Sequence, residues 1–288
     1  MPQGRVIKAY NSFFYVQTSD TLVTCKLRGK FKKRQGVYPG DLVDVGLLPD
    51  GTGVVERLLP RESLMKRPLV ANVDQVVLTF AAAQPDPHPL LVSRFLVLAE
   101  WSGLSRILVC VNKSDLPPAA DEVFQVAEAA GYPVLHVSAQ TGAGVEALRQ
   151  ELSGHITCFA GPSGVGKSSL LNAIEPGLSL QTGHVSEKIK RGRHTTRVAE
   201  LLSFGGGYIV DTPGFSSMEL DGIDEQLLPS YFPEFRPHLG HCRFSPCSHS
   251  HEPDCAVKEA VAAGDIPQER YDAYLSILEE IHANQKKY

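Results

Sequence analysis

The sequence predicts a multidomain fold: a small N-terminal β-barrel, a central α/β domain on a parallel sheet, and a C-terminal Cys- and His-rich domain ending in helix. Three observations predict it. The first 60 residues are short strand-like runs divided by turn residues, with almost no helical periodicity. From Val73, short apolar runs alternate with helix-like stretches, as in a doubly wound sheet buried on both faces. After about Asp221, Pro, His and Cys accumulate. A length of 288 residues suits two domains at roughly 150 residues each. These changes of texture divide it into three, at 1–64, 65–220 and 221–288.

The barrel candidates, in order, are Arg5–Ala9, Phe13–Thr18, Leu22–Leu27, Leu42–Leu47 and Gly53–Leu59. Asn11-Ser12, Ser19-Asp20, Pro39-Gly40-Asp41 and Pro49-Asp50-Gly51 supply the turns between them. Pro60 to Asn72 reads as a linker. The central strands are Val76–Phe80, Ile107–Val111, Val134–Val137, Ile156–Ala160 and Tyr208–Val210. Between them, helices are expected at Val92–Trp101, Glu122–Ala130 (Asp121 as N-cap, Gly131 as stop), Gly144–Leu152 and Lys167–Ile174. The last helix, Gln268–Lys286, starts from Asp265 and Pro267. It aligns Tyr271, Tyr274, Leu275, Leu278, Ile281 and His282 on one face, which reads more simply as core than as a partner surface.

Apolar residues make up 43% of the chain and charged residues 21%, so a core can be buried and global disorder is excluded. The longest apolar stretches reach about half a dozen residues, whereas a bilayer-spanning helix needs roughly 18. No membrane span is expected. The start, Met1-Pro2-Gln3-Gly4-Arg5, leads into alternating sequence rather than an apolar leader, so a cytoplasmic location is expected. The net charge of −4 at first speaks against a nucleic-acid partner. Residues 1–60, however, carry nine Lys/Arg against five Asp/Glu, a balance of +4 that leaves −8 for the rest. Lys26, Arg28, Lys30, Lys32, Lys33 and Arg34 fill six of nine consecutive positions. Such a run is usually a solvated loop, but this density also suits a phosphate-binding footprint.

Gly161-Pro162-Ser163-Gly164-Val165-Gly166-Lys167-Ser168 matches G-x-x-x-x-G-K-[ST]. It follows a strand and opens the amphipathic run Ser169–Ile174, the context the motif requires. The glycines let successive N–H groups converge on a phosphate, and the helix N-terminus adds partial positive charge. Lys167 would reach the β- and γ-phosphates and Ser168 would bind Mg²⁺. The loop through Ser169 is thus a nucleotide site.

The base is chosen elsewhere. Asn112-Lys113-Ser114-Asp115 follows a strand and suits guanine. The Asp115 carboxylate can accept from both N1–H and the exocyclic amine, whereas adenine would leave it unpaired, at about 1–3 kcal/mol or more. Asn112 would face the O6/N7 edge and the Lys113 stem would pack along the base. Ser138-Ala139, after the next strand, matches the S-A-x motif whose backbone N–H meets O6. A P-loop ATPase or kinase with a chance N-K-x-D is the weaker alternative.

Asp211-Thr212-Pro213-Gly214 supplies a D-x-x-G, with Asp211 near the magnesium's water shell and the Gly214 N–H on the γ-phosphate. The polar, basic stretch from Lys188 to Arg197 reads as a switch loop, from which Thr196, or else Thr195, would complete the magnesium site. The order of motifs is unusual. N-K-x-D and S-A-x precede the phosphate loop and D-x-x-G, the reverse of ordinary GTPases. The chain is therefore expected to be a circularly permuted P-loop GTPase, a rearrangement a sheet tolerates when the old termini lie close together.

Of six cysteines, Cys25, Cys110 and Cys158 sit singly in strand-like runs and read as core. Cys242, Cys247, His249 and Cys255 offer three thiolates and an imidazole within 14 residues, a donor set for one structural, tetrahedral Zn²⁺. His251 is the competitor to His249; His238 and His241 read as surface residues.

With these motifs, the chain resembles the bacterial ribosome small-subunit-dependent GTPase A family, circularly permuted GTPases of ribosome assembly. The likeness runs the whole length: the barrel start, Asn112–Asp115, Gly161–Ser169, Gly192-Arg193-His194-Thr195-Thr196, Asp211–Gly214 and the finger Cys242–Val257. It implies an OB-like barrel that contacts rRNA and a zinc finger that adds further contacts. It also implies a monomer that binds the small (30S) ribosomal subunit and its 16S rRNA, and GTP hydrolysis to GDP and phosphate, stimulated by the subunit, late in subunit maturation. In that reading Lys26–Arg34 is an RNA-facing segment, and Lys167 and Gly214 serve catalysis. The residue after D-x-x-G is Phe215, where many GTPases carry a water-positioning Gln. The resemblance points instead to His194, which from sequence alone is equally a surface histidine of a flexible loop. Phe215 also suits the alternative of a nucleotide-gated RNA-binding switch, in which occupancy rather than turnover is the function.

Overall fold

The structure is a computed structural model of the chain. It describes residues 1–28, 36–66, 69–176, 199–215, 220 and 222–285, with only the backbone of residues 66, 211–215 and 285. Along the chain run β1 (Gln3–Tyr10), β2 (Phe13–Thr18), β3 (Leu22–Leu27), β4 (Leu42–Leu47), β5 (Gly53–Leu58), β6 (Leu64–Lys66), β7 (Leu69–Ala71) and β8 (Gln75–Ala81). There follow α1 (Pro89–Trp101), β9 (Arg106–Asn112), α2 (Glu122–Ala129), β10 (Val134–His136), α3 (Val145–Leu152), β11 (Ile156–Ala160) and α4 (Lys167–Ile174). The chain ends with β12 (Glu200–Phe204), β13 (Gly207–Phe215), α5 (Ala256–Ala263) and α6 (Gln268–Gln285). It divides into two compact units, one of Met1–Val76, Ala147–Phe159 and Leu171–Phe215, the other of Val77–Glu146, Ala160–Leu170 and Ser216–Tyr288.

In the first unit, period-2 alternation closes a barrel. Val6, Phe14, Val16, Val23, Cys25, Val43, Val45 and Val55 point inward and are buried, and polar neighbours point out. The strand order β1–β2–β3–β5–β4 returns to β1 through the antiparallel pairs Gln3↔Asp44 and Arg5↔Leu42. Bulges at Val6/Lys8 and Asp44/Val45 supply the extra curl that closure demands. The stretch expected as a linker is instead the hairpin β6–β7, with Met65 opposite Val70 and both buried. Arg61 grips the fully buried Asp41 with both carboxylate oxygens engaged, at 2.6 and 2.8 Å. Its Pro, Arg and Glu content hid this packing.

The same unit carries β11–β13–β12, and β12 joins β1 at Lys8↔Glu200, where the two side chains pair at 2.6 Å. β12 was not expected, although Gly205-Gly206, both at positive φ, is the two-residue turn of a hairpin with β13.

In the second unit, β8, β9 and β10 lie side by side, β9 and β10 parallel. Phe80 packs edge-on against Phe95 of α1, with Phe124 of α2 beside it. α6 packs on α1. The stripe on α6 is core as expected but is rotated: Arg270, Ala273, Tyr274, Ile277, Leu278 and Ile281 are buried, while His282 is exposed and meets Glu225 at 3.0 Å. Asp121 does stand at the start of α2, but its side chain makes no capping bond. Among the described residues, no helix is long and apolar enough to cross a membrane.

Candidate functional site

The phosphate-loop motif lies between β11 and α4. Gly161, at φ +140°, passes so close to β8 that a methyl group there would sit 2.0 Å from the Thr79 carbonyl oxygen. Gly166, at φ +90°, leaves only 2.5 Å between such a methyl and the Asn112 amide. Glycine at both positions therefore follows from close approach as well as from backbone angle. Val165 is buried, Ser163, Gly164 and Ser169 are exposed, and Pro162 and Ser168 are half-buried. The Lys167 Nζ curls under the loop and donates to the Gly161 and Pro162 carbonyls at 2.7 and 2.6 Å. Burial holds its ammonium below the usual lysine range, a cost that nearby phosphate charge relieves.

The base-side motifs come to the same place. Asn112, 2% exposed, donates through Nδ2 to the Val165 carbonyl at 2.9 Å and accepts the Ala139 N–H through Oδ1 at 3.1 Å. One amide thus stitches the phosphate loop to the Ser138-Ala139 loop. Lys113, held at φ +60°, donates to the Gly164 carbonyl at 2.9 Å and to the Gln84 carbonyl. The fully buried Ser138 hydroxyl donates to Asp115 Oδ1 at 2.5 Å and accepts the Thr141 N–H at 3.1 Å. The Asp115 carboxylate is thereby oriented while remaining exposed. Sequence reasoning placed Asn112 and Lys113 at the base, and the structure adds that both clamp the phosphate loop. Gln84 was missed. Its φ of +53° just before Pro85 is a bend no periodicity marks.

The other expected site residues are described less fully. Asp211 and Gly214 lie on β13, described there by backbone alone. His194, Thr195, Thr196 and the stretch from Lys188 to Arg197 lie outside the described residues, as do Lys30, Lys32, Lys33 and Arg34. Lys26 sits 5.1 Å over the exposed Phe13 ring, and Arg28 pairs with Glu56 at 2.8 Å.

Cys242, Cys247, His249 and Cys255 bring their ligand atoms within 4.8 Å of one another. Cys242 and Cys255 sulfurs are 3.8 Å apart, and His249 Nδ1 lies 3.4 Å from each. A tetrahedron with metal–sulfur bonds of about 2.3 Å and a metal–nitrogen bond of about 2.0 Å has edges of about 3.8 and 3.5 Å. The donor set therefore fits a soft, four-coordinate cation. Left to themselves the thiols resist ionising: burial pushes Cys247 up to about 12 and raises Cys255, a preference a bound divalent cation reverses. His251 is exposed and bonds Ser250, so the competition resolves to His249, 5% exposed. Cys25, Cys110 and Cys158 are fully buried, as expected of core.

A family model described as RsgA GTPase matches residues 56–221, and one described as the RsgA N-terminal domain matches residues 3–55. The chain is 44% identical over 292 residues to the small ribosomal subunit biogenesis GTPase RsgA of Moorella thermoacetica, covering 99% of each chain. It is 45% identical over 288 residues to the protein of that name from Carboxydothermus hydrogenoformans, again covering 99% of each. Among solved structures it is similar to YjeQ from Thermotoga maritima, with a TM-score of 0.84 and 40% identity over 97% of this chain and 98% of that one. It is similar also to YloQ, described as a circularly permuted GTPase, with a TM-score of 0.84 and 36% identity over 99% and 96% of the two chains.

Proposed function

This chain belongs to the RsgA GTPase family, and on that premise we propose that it is a cytoplasmic, monomeric factor of small-subunit maturation. It binds the small ribosomal subunit and its 16S rRNA, and there it hydrolyses GTP faster than it does alone. The chain is a GTP hydrolase with an N-terminal barrel, a circularly permuted GTPase domain and a C-terminal cluster that could hold a metal ion. The observation that carries the reading is the Asn112 amide, which joins the guanine-type loop to the phosphate loop.

The chemistry follows from the residues. Asp115 accepts from guanine N1–H and the 2-amine, Ser138 orients it, and Asn112, Lys113 and Ala139 complete the base side. The N–H groups of Gly161 to Ser169 and the Lys167 ammonium face the phosphates. Ser168, Thr196 and Asp211 would hold Mg²⁺, which when bound neutralises charge on the β- and γ-phosphate oxygens. The Gly214 N–H meets the γ-phosphate. His194 aligns the attacking water, because Phe215 offers no hydrogen bond. Cys242, Cys247, His249 and Cys255 would hold one structural Zn²⁺.

RNA binding is supported by the barrel's basic segment, Lys26, Arg28, Lys30, Lys32, Lys33 and Arg34. The exposed Phe13 under Lys26, with Tyr10 exposed at the end of β1, offers stacking as well as charge. Co-sedimentation with purified small subunits tests the reading. Binding is expected with a non-hydrolysable GTP analogue, weakening steeply as salt rises. No binding at low salt in any nucleotide state contradicts it.

A further inference from the structure

The Cys/His loop is held from outside by the last helix. The Tyr271 hydroxyl donates to the His249 carbonyl at 2.9 Å, and the Tyr274 hydroxyl donates to the Ser248 carbonyl at 2.5 Å. The two tyrosines stand three residues apart on α6, hence on one face. Their rings pack together at 6.3 Å and against Phe235, with Tyr274 edge-on to Phe232. Within the loop, the Glu252 carboxylate accepts the N–H groups of Ser248 and Ser250 and the Ser248 hydroxyl. His249 itself is held at φ +56°, which a residue bearing a Cβ keeps only when its surroundings fix it.

The same helix is bound to α1 beside the tyrosines. Arg270, 1% exposed, pairs with Glu234 at 2.5 Å, donates to Ser93 of α1 at 3.1 Å and lies 4.6 Å over Phe232. One helical face further on, Glu280 meets Arg94 of α1. A continuous set of bonds thus runs from the ligand-bearing backbone through α6 to α1.

We infer that Tyr271 and Tyr274 are positioning residues of the metal site, fixing the Ser248-His249 backbone and so the His249 ligand, and linking metal occupancy to the seating of α6 on α1. This rests on the reading of the Cys/His cluster as a Zn²⁺ site. Partners that orient a metal ligand typically set affinity by roughly 10–100-fold. Linkage is reciprocal: whatever seating of α6 contributes to metal affinity, the metal returns to the stability of that seating.

The experiment uses the full chain, wild type and the variants Tyr271→Phe, Tyr274→Phe and both. Zn²⁺ affinity is read by competition with a chromophoric chelator, and ligand geometry from the visible spectrum of the Co²⁺-substituted protein. The expected result is about tenfold or greater loss of Zn²⁺ affinity in the double variant, with a shifted cobalt spectrum. In the wild type, stripping Zn²⁺ speeds amide exchange in α6 and around Ser93 and Arg94. Unchanged affinity and spectrum with only a lower Tm overturn the proposal, as does exchange indifferent to Zn²⁺. A wild type that binds neither metal overturns the zinc reading as well. If Tyr274→Phe fails to fold, the half-buried Tyr271 decides alone.

Discussion

Asp115 hands one oxygen to the Ser138 hydroxyl and stays exposed, so its carboxylate is both aimed and accessible. Guanine uses that carboxylate as a double acceptor. Asp115→Asn replaces one acceptor with a donor, setting an N–H against the guanine 2-amine, while xanthine presents a carbonyl there. Hydrogen bonds to a charged group contribute about 1.5–3 kcal/mol each, and about 1.4 kcal/mol is tenfold in affinity. The expected outcome is at least a hundredfold loss in GTP affinity with xanthosine triphosphate becoming the better ligand, measured by competition against a fluorescent nucleotide. Asp115, Lys167 and the four Cys/His donors were legible because fixed spacing carries their chemistry. The double role of Asn112 was not, because its partners Val165 and Ala139 lie 53 and 27 residues away and only the fold brings them together.

Elements were legible where a period and a stop coincide. α4 and β11 fall at their expected bounds, since an apolar run, a glycine loop and an amphipathic stretch follow one another. The hairpin β6–β7 was not, because strands of three residues are too short to show alternation. α5 was missed because it follows directly on the cysteine loop, whose composition masks it. That loop has a pH dependence of its own. Burial works to raise the Glu252 carboxyl, but hydrogen bonds from Ser248 and Ser250 prevail and hold it at about 2, against an ordinary 4.5. A lowered folded-state value means the carboxylate stabilises the loop above about pH 4.5 and loses that contribution as pH falls toward 2. The Tm difference between wild type and Glu252→Gln is therefore expected to be constant at neutral pH and to close below about pH 4.5. A difference that is constant down to pH 2 contradicts the assignment.

For the whole molecule, motif order was legible because order is a property of the chain itself, and a circularly permuted GTPase was readable before any coordinate. Net charge was not a guide to partners: −4 is the sum of a basic first 60 residues and an acidic remainder. The charge that matters for RNA is local, so binding is expected to depend on salt. Phe215 in place of a polar residue after D-x-x-G makes slow turnover the expectation for the isolated chain. The most direct test is GTP turnover by the purified protein with and without purified small subunits, at one stated salt concentration. The account requires slow turnover alone, a rise of at least tenfold with small subunits, and loss of that rise in His194→Ala with GTP affinity kept within a few-fold. Equal turnover with and without subunits contradicts it.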